Sequence, residues 1–299
     1  MEGGLVVLQA NKVTINIADV VISVVVENGP GFWIREHAPF VCHAPLTRDG
    51  EVLIRGHYGG LPEAEVGDTV FDTGEMWALY RSGAGWLWRL FSPNWDPVPH
   101  RLALFSSNFC KGDVYFNWHP SPEQPLVYPL IHPLDHFLIN SLLARGRGVN
   151  IHSCGVDDQG RGLLFAGMSG AGKTTISRLW HGVPGVKVLS DDRVIVRKRD
   201  GQFWMYGTPW AGDAGFASPT SVPLERIFVL AHTSQNSVAD LKPPEVVADL
   251  LQRSFLTFWD AAGMEYSLGL LDELSHALPC HSLGFAPDRQ IVDFVRNVL

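Results

Sequence analysis

Gly162-Leu163-Leu164-Phe165-Ala166-Gly167-Met168-Ser169-Gly170-Ala171-Gly172-Lys173-Thr174 decides how this chain is read. From Gly167 to Thr174 it fits the pattern G-x-x-x-x-G-K-[ST] at every fixed position. Glycines at such positions let the backbone curl until successive N–H groups of residues such as Ser169, Gly170, Ala171 and Gly172 face a phosphate oxygen. Lys173 adds a point charge for the terminal phosphates, and Thr174 offers a hydroxyl to a magnesium ion. Gly162 to Ala166 reads as a buried strand, and Thr175 to Trp180 reads as the start of a helix. That context places the loop at a helix N-terminus, where the partial positive charge favours anions.

Working outward, Val186 to Ser190 reads as the next strand and ends at Asp191-Asp192, eighteen positions after Lys173. A short helix and one strand fill that interval, so the aspartates lie at a strand end near the phosphate loop. Adjacent strand residues point to opposite faces, but at a strand end the chain turns and both carboxylates reach a common pocket. A plain surface turn is the alternative, and the apolar strands on both sides argue against it. Upstream, Val149 to Val156 reads as a strand antiparallel to the one that feeds the loop. It carries His152, which faces either a bound γ-phosphate or the core. Downstream, Val194 to Val196 and Phe203 to Tyr206 pair through the turn at Arg199-Asp200-Gly201. Gly207 to Asp213 then forms a loop in which Asp213 is either a second carboxylate for magnesium or a turn residue. Leu224 to Ala231 and His281 to Phe285 read as strands. Pro244 to Ser254, Met264 to Leu278 and a segment beginning at Pro287-Asp288 read as helices.

Composition narrows the class of partner. The 299 residues include 46% hydrophobic and 18% charged side chains, which describes a globular chain able to bury a large core. Thirty-one acidic residues against twenty-three basic ones give a formal charge of −8. No basic run exceeds Arg197-Lys198-Arg199, so nucleic acid is not the expected partner. The four cysteines (Cys42, Cys110, Cys154, Cys280) are widely spaced without a metal-ligand pattern, and the histidines suggest no zinc site either. Val20 to Val26 is too short to span a bilayer, and no signal segment is recognisable. The expectation is a soluble, cytoplasmic protein with reduced thiols and no membrane partner; association with copies of itself stays open.

Residues 1 to about 120 read as β-rich. Val13 to Ile17 alternates apolar and polar, Val20 to Val26 is β-branched almost throughout, and glycine-containing turns punctuate the chain from Asn28 to Gly85. Six of the ten tryptophans fall here: Trp33, Trp77, Trp86, Trp88, Trp95 and Trp118. They either line a surface that grips an extended peptide or, more economically, fill the core of a small sheet. Five prolines between Pro120 and Pro133 mark a connection, and Leu134, Phe137, Leu138 and Leu142 form one stripe of a following helix. The expected division is a β-rich region over 1–125, with a possible substrate-recognition role, and an ATP-binding domain over 126–299.

His152, the loop Gly167 to Thr174 and Asp191-Asp192, at this compact spacing, resemble the catalytic core of HPr kinase/phosphorylase, which is related to ATP-dependent phosphoenolpyruvate carboxykinase. The resemblance covers about residues 149 to 231. It implies an α/β fold, a phosphoenolpyruvate carboxykinase-like P-loop kinase domain behind the β-rich N-terminal region. It also implies ATP and magnesium as cofactors and phosphorylation of a hydroxyl, with a protein or peptide serine as acceptor. Carried over residue by residue, His152 sits near the transferred phosphoryl group, Asp191 is the base toward the acceptor, and Asp192 helps Thr174 hold magnesium. The Glu-Val-Arg-Gly signature of the bifunctional enzyme has no counterpart, Asp213 being a loose stand-in for its glutamate. The first 120 residues also do not read as that family's usual N-terminal domain. Phosphorolysis and HPr itself therefore fall outside the expectation. A small-molecule kinase and a non-catalytic nucleotide-responsive protein are the alternatives.

Overall fold

Alternation of apolar and polar residues builds the first half of the chain, as Lys12–Ile17 shows by burying every second side chain. The computed structural model describes residues 8–26, 31–43, 52–91, 98–118 and 126–298. It resolves two compact units, Met1–Leu142 and Leu143–Leu299.

The N-terminal unit contains β1 (Leu8–Ala10), β2 (Lys12–Ile17), β3 (Val20–Val25), β4 (Phe32–Ile34), β5 (Val52–Tyr58), β6 (Thr69–Asp72), β7 (Trp77–Ser82), β8 (Gly85–Leu90), β9 (Arg101–Phe105), β10 (Lys111–Phe116) and the helix α1 (Leu134–Leu143). Eight strands form one sheet in the order β2-β3-β5-β10-β9-β8-β7-β6, and β1 pairs with β4 separately. The β3–β5 and β5–β10 pairs are parallel. β2 and β3 are joined by Ala18 and Asp19, both at positive φ, the conformation that matches the twist of a tight hairpin.

Aromatic residues fill this unit. Trp88 is fully buried and Trp86 nearly so, which bears out the core reading for these two. Trp77 and Trp118 are half-buried, Trp33 is exposed, and Trp95 lies outside the described residues. Phe137 of α1 lies between 5.7 and 6.4 Å, ring to ring, from Trp77, Trp88, Phe105 and Phe109. Those contacts explain why the division falls after Leu142 and not at 125/126. The helix that follows the proline-rich connection belongs to the aromatic core before it.

The C-terminal unit contains β11 (Val149–Asp158), β12 (Arg161–Ala166), α2 (Lys173–Trp180), β13 (Val186–Ser190), β14 (Arg193–Arg199), β15 (Gln202–Tyr206), β16 (Ser221–His232), β17 (Ser237–Asp240), α3 (Pro243–Gln252), α4 (Ala261–Ala277), β18 (Cys280–Phe285) and α5 (Gln290–Val298). The long strands β11 and β16 each take part in three pairings along their length. As a result β11, β12, β16, β15 and β14 close into a five-stranded ring. β13 pairs with the second half of β11, and β18 runs parallel to β16. β14 and β15 meet through Asp200-Gly201, both at positive φ, as the sequence predicts.

β12 is buried on both faces, which accounts for its continuous apolar run. Leu164 and Ala166 pack with Ile151, Leu189 and Met205, whereas Leu163 and Phe165 pack with Ile176 and Trp180 of α2 and Ile291 and Val295 of α5. The burial of both faces fixes the end of β12, and with it the start of the phosphate loop. α4 begins three residues earlier than predicted because Asp260 caps it, accepting from the Gly263 N–H at 3.3 Å.

Candidate active site

Two strand ends meet the middle of β11 beside the loop from Gly167 to Thr174. Ala166, the last residue of β12, pairs with Ser153, and Ser190, the last residue of β13, pairs with Gly155. β11 lies between them and carries His152 next to Ser153. A hydrogen bond from Ser153 N to Asp192 O, 2.9 Å, ties the turn after β13 to β11. Short loops at the ends of buried strands are where fixed polar groups can face a ligand.

The loop has the backbone its glycines allow. Gly170 and Gly172 have φ of +80° and +98°, and Gly172 is the N-cap of α2 without any side-chain cap. A Cβ at Gly172 would stand 2.6 Å from the Phe285 ring, so both conformation and close approach demand glycine there. Met168, Ser169 and Gly170 are exposed, Ala171 is buried, and Thr174 and Thr175 are half-buried. Lys173 is buried, and its Nζ donates to Gly167 O at 2.9 Å and Met168 O at 3.1 Å. Burial holds the Lys173 ammonium below the usual lysine range, with the Asp192 charge opposing and Arg253 adding to the effect.

The two aspartates part company. Asp192 is half-buried, its Oδ1 3.0 Å from His152 Nε2 and its Oδ2 3.2 Å from Arg193 Nε. Burial works to raise its pKa, but the hydrogen bond from His152 and the charges of His152, Arg193 and Lys173 outweigh that and hold it below the usual carboxylate range. Asp191 is only 1% exposed. Its Oδ1 accepts from Gly212 N at 2.9 Å and Phe216 N at 3.2 Å, and its Oδ2 from Ala214 N at 2.7 Å. Asp191, expected as the base toward an acceptor, is thus a buried carboxylate enclosed by three amides that straps the loop after β15 to the end of β13. Asp213 is exposed on that strapped loop, its carbonyl accepting from Arg178 Nη2 at 3.1 Å.

Sequence reasoning passed over three neighbours. Arg193 places its guanidinium 4.5 Å from the centre of the Phe255 ring, which itself lies 6.2 Å from His152. Arg253 is nearly buried and is held by the carboxylate and carbonyl of Asp249 at 2.6 and 2.5 Å. Its own carbonyl accepts from His152 N at 2.7 Å, and Phe255 N donates to Asn150 O. The segment after α3 thus lies along the first half of β11. No local pattern announces it, because an arginine at a helix C-terminus is common for reasons of charge alone.

His152, Arg193 and Lys173 act on one partly open carboxylate, Asp192, and Arg253 acts in turn on Lys173, an arrangement suited to a polyanion that brings its own counter-charge. Among the described residues no helix is long and apolar enough to cross a membrane. No protein-family model matches the chain, and no curated protein matches it.

Proposed function

We propose that the C-terminal unit binds magnesium ATP and transfers its γ-phosphoryl group to a hydroxyl, a serine of a protein or peptide. The observation that carries the reading is a loop bent by Gly170 and Gly172 at positive φ, with Lys173 at the start of α2, in the same unit as the Asp192–His152 pair at the next strand end. Loop amides and Lys173 hold the triphosphate, and phosphoryl transfer needs little more than such positioning and charge stabilisation.

The donor set fits magnesium: Thr174 supplies a hydroxyl oxygen and Asp192 a carboxylate that is not fully enclosed. When bound, the ion neutralises charge on the β- and γ-phosphates. The base assigned to Asp191 passes to the pair. Asp192 Oδ1 accepts from His152 Nε2, which leaves Nδ1 of the same ring as the proton acceptor for an incoming hydroxyl. Arg193 steadies the other oxygen of Asp192.

The test incubates the purified full chain with γ-labelled ATP, magnesium and serine-containing proteins or peptides. Label recovered as acid-stable phosphoserine, and lost in Lys173→Ala, supports the proposal. Label found only on small hydroxyl compounds makes the protein a small-molecule kinase. ATP bound without any transfer makes it a nucleotide-responsive binding protein.

A further inference from the structure

The N-terminal unit holds a second constellation that the phosphate chemistry does not use. His132, Asp135 and His136 each present one ligand atom, and the three atoms all lie within 4.8 Å of one another. We propose that they bind a single divalent transition-metal ion of the zinc class at the start of α1.

The sequence folds this way for local reasons. Asp135 and His136 lie in the first turn of α1, and His132 lies just before it, four positions from His136. The two imidazole rings stand 4.7 Å apart and nearly perpendicular. Ligand atoms about 2.1 Å from a tetrahedral ion are about 3.4 Å from one another, so the cluster must contract by no more than about 1.5 Å. His132 is exposed and can turn to supply that contraction. Asp135, only 2% exposed, is fixed by its Oδ1 accepting from His136 N at 2.8 Å.

The surroundings resemble the supporting shell of a metal site. His37, 3% exposed, places Nε2 3.4 Å from Asp135 Oδ2, and that nitrogen makes no hydrogen bond. An imidazole set against a ligating carboxylate orients it and tunes its charge. Arg101 braces the turn by donating to the carbonyls of Ile131 at 3.0 Å and His132 at 3.5 Å.

The same groups select among ions. Calcium and magnesium depend on several anionic or carbonyl oxygens. Here there is one carboxylate, and its charge acts on the neighbouring Arg101 cation. Two neutral imidazole nitrogens with one carboxylate suit zinc and its neighbours, and leave a fourth position for water or another ligand.

The test uses the full chain without an affinity tag, stripped of metal by chelation and titrated with zinc against a chromogenic competitor. One zinc per chain is expected, undiminished by millimolar magnesium. His132→Ala should weaken binding at least about a hundred-fold, beyond the range known for supporting residues. His57→Ala, a histidine paired with Asp113 elsewhere in the unit, should leave it unchanged. Lys173→Ala should also leave it unchanged, which separates this site from the nucleotide site. Because His132 is exposed, its variant is expected to melt normally in the absence of metal. Absent zinc binding, or equal affinity in the wild type and His132→Ala, overturns the proposal.

Discussion

Two glycines with the same backbone sign show how the units differ. Gly83, in the β7–β8 hairpin of the N-terminal unit, has φ of +52° and nothing within 4 Å of where a Cβ would sit. Gly172, in the C-terminal unit, has φ of +98° and the Phe285 ring pressed against that position. The first glycine only reverses the chain. The second brings the loop tightly against the Phe285 ring where β12 passes into α2, which is a demand of close packing. Buried charge repeats the contrast. In the N-terminal unit Asp135 faces His37 and interacts with Arg101 around an aromatic core. In the C-terminal unit Asp191 is enclosed by amides, while Asp192 beside it stays partly open. A unit filled by an aromatic core and a unit proposed to carry phosphoryl transfer should respond differently to substitution.

The largest effect is expected at Asp192. Asp192→Asn removes the charge facing Lys173 and weakens the support of His152. Phosphoryl transfer should fall by about two orders of magnitude or more, while the thermal midpoint moves little. Transfer rates within a few-fold of wild type would place the chemistry elsewhere. In the other unit, Phe137→Ala should cost about 3–5 kcal/mol of stability, as expected for a large aromatic removed from a packed core. Denaturant unfolding measures it, and magnesium ATP affinity of the folded protein should change less than about two-fold. A large loss of affinity would break the contrast between the units.

Asp191→Asn tests the division of roles between the two aspartates. An amide cannot accept from all three N–H donors, and hydrogen bonds to a charged group are each worth about 1.5–3 kcal/mol. A loss of about 2 kcal/mol is expected, with residual transfer well above that of Asp192→Asn. If instead Asp191→Asn is fully stable and inactive, the aspartates exchange roles.

The smallest effect is electrostatic. The Asp192 pKa is depressed in the folded protein, so its pairing stabilises above the unfolded value of about 4 and is lost as pH falls through the lower folded value. The stability difference between wild type and Asp192→Asn should be constant from about pH 5 to 8 and shrink below about pH 4. A difference that grows with acid would mean that the carboxylate is not held by His152 and Arg193.

Much of this was legible in the residues. The strand, loop and helix around Gly167 to Thr174 follow from burial and glycine placement, both local properties. The β14–β15 hairpin follows from Asp200-Gly201. The exposed edge strand Ser237–Asp240 was not legible, because none of its side chains is buried and its pairing with β18 is a tertiary fact. The helix α1 was legible as a helix but not as part of the N-terminal unit, since its Phe137 contacts lie far away in sequence. At the candidate site, proximity of Asp191-Asp192 to the loop was readable, but the division of labour was not. Three amides between residues 212 and 216 decide it, and backbone donors leave no mark on a sequence. The cluster of His132, Asp135 and His136 escaped for a related reason: its ligand atoms converge only once the turn before α1 is in place.

The decisive experiment is binding of magnesium ATP to the full chain, by calorimetry on wild type and Lys173→Ala. The expected result is one nucleotide per wild-type chain, dependent on magnesium, and affinity reduced at least about a hundred-fold in a Lys173→Ala variant that melts normally. No binding to the wild type, or equal affinity in both proteins, would contradict a phosphate loop at Gly167 to Thr174 that works on nucleotide.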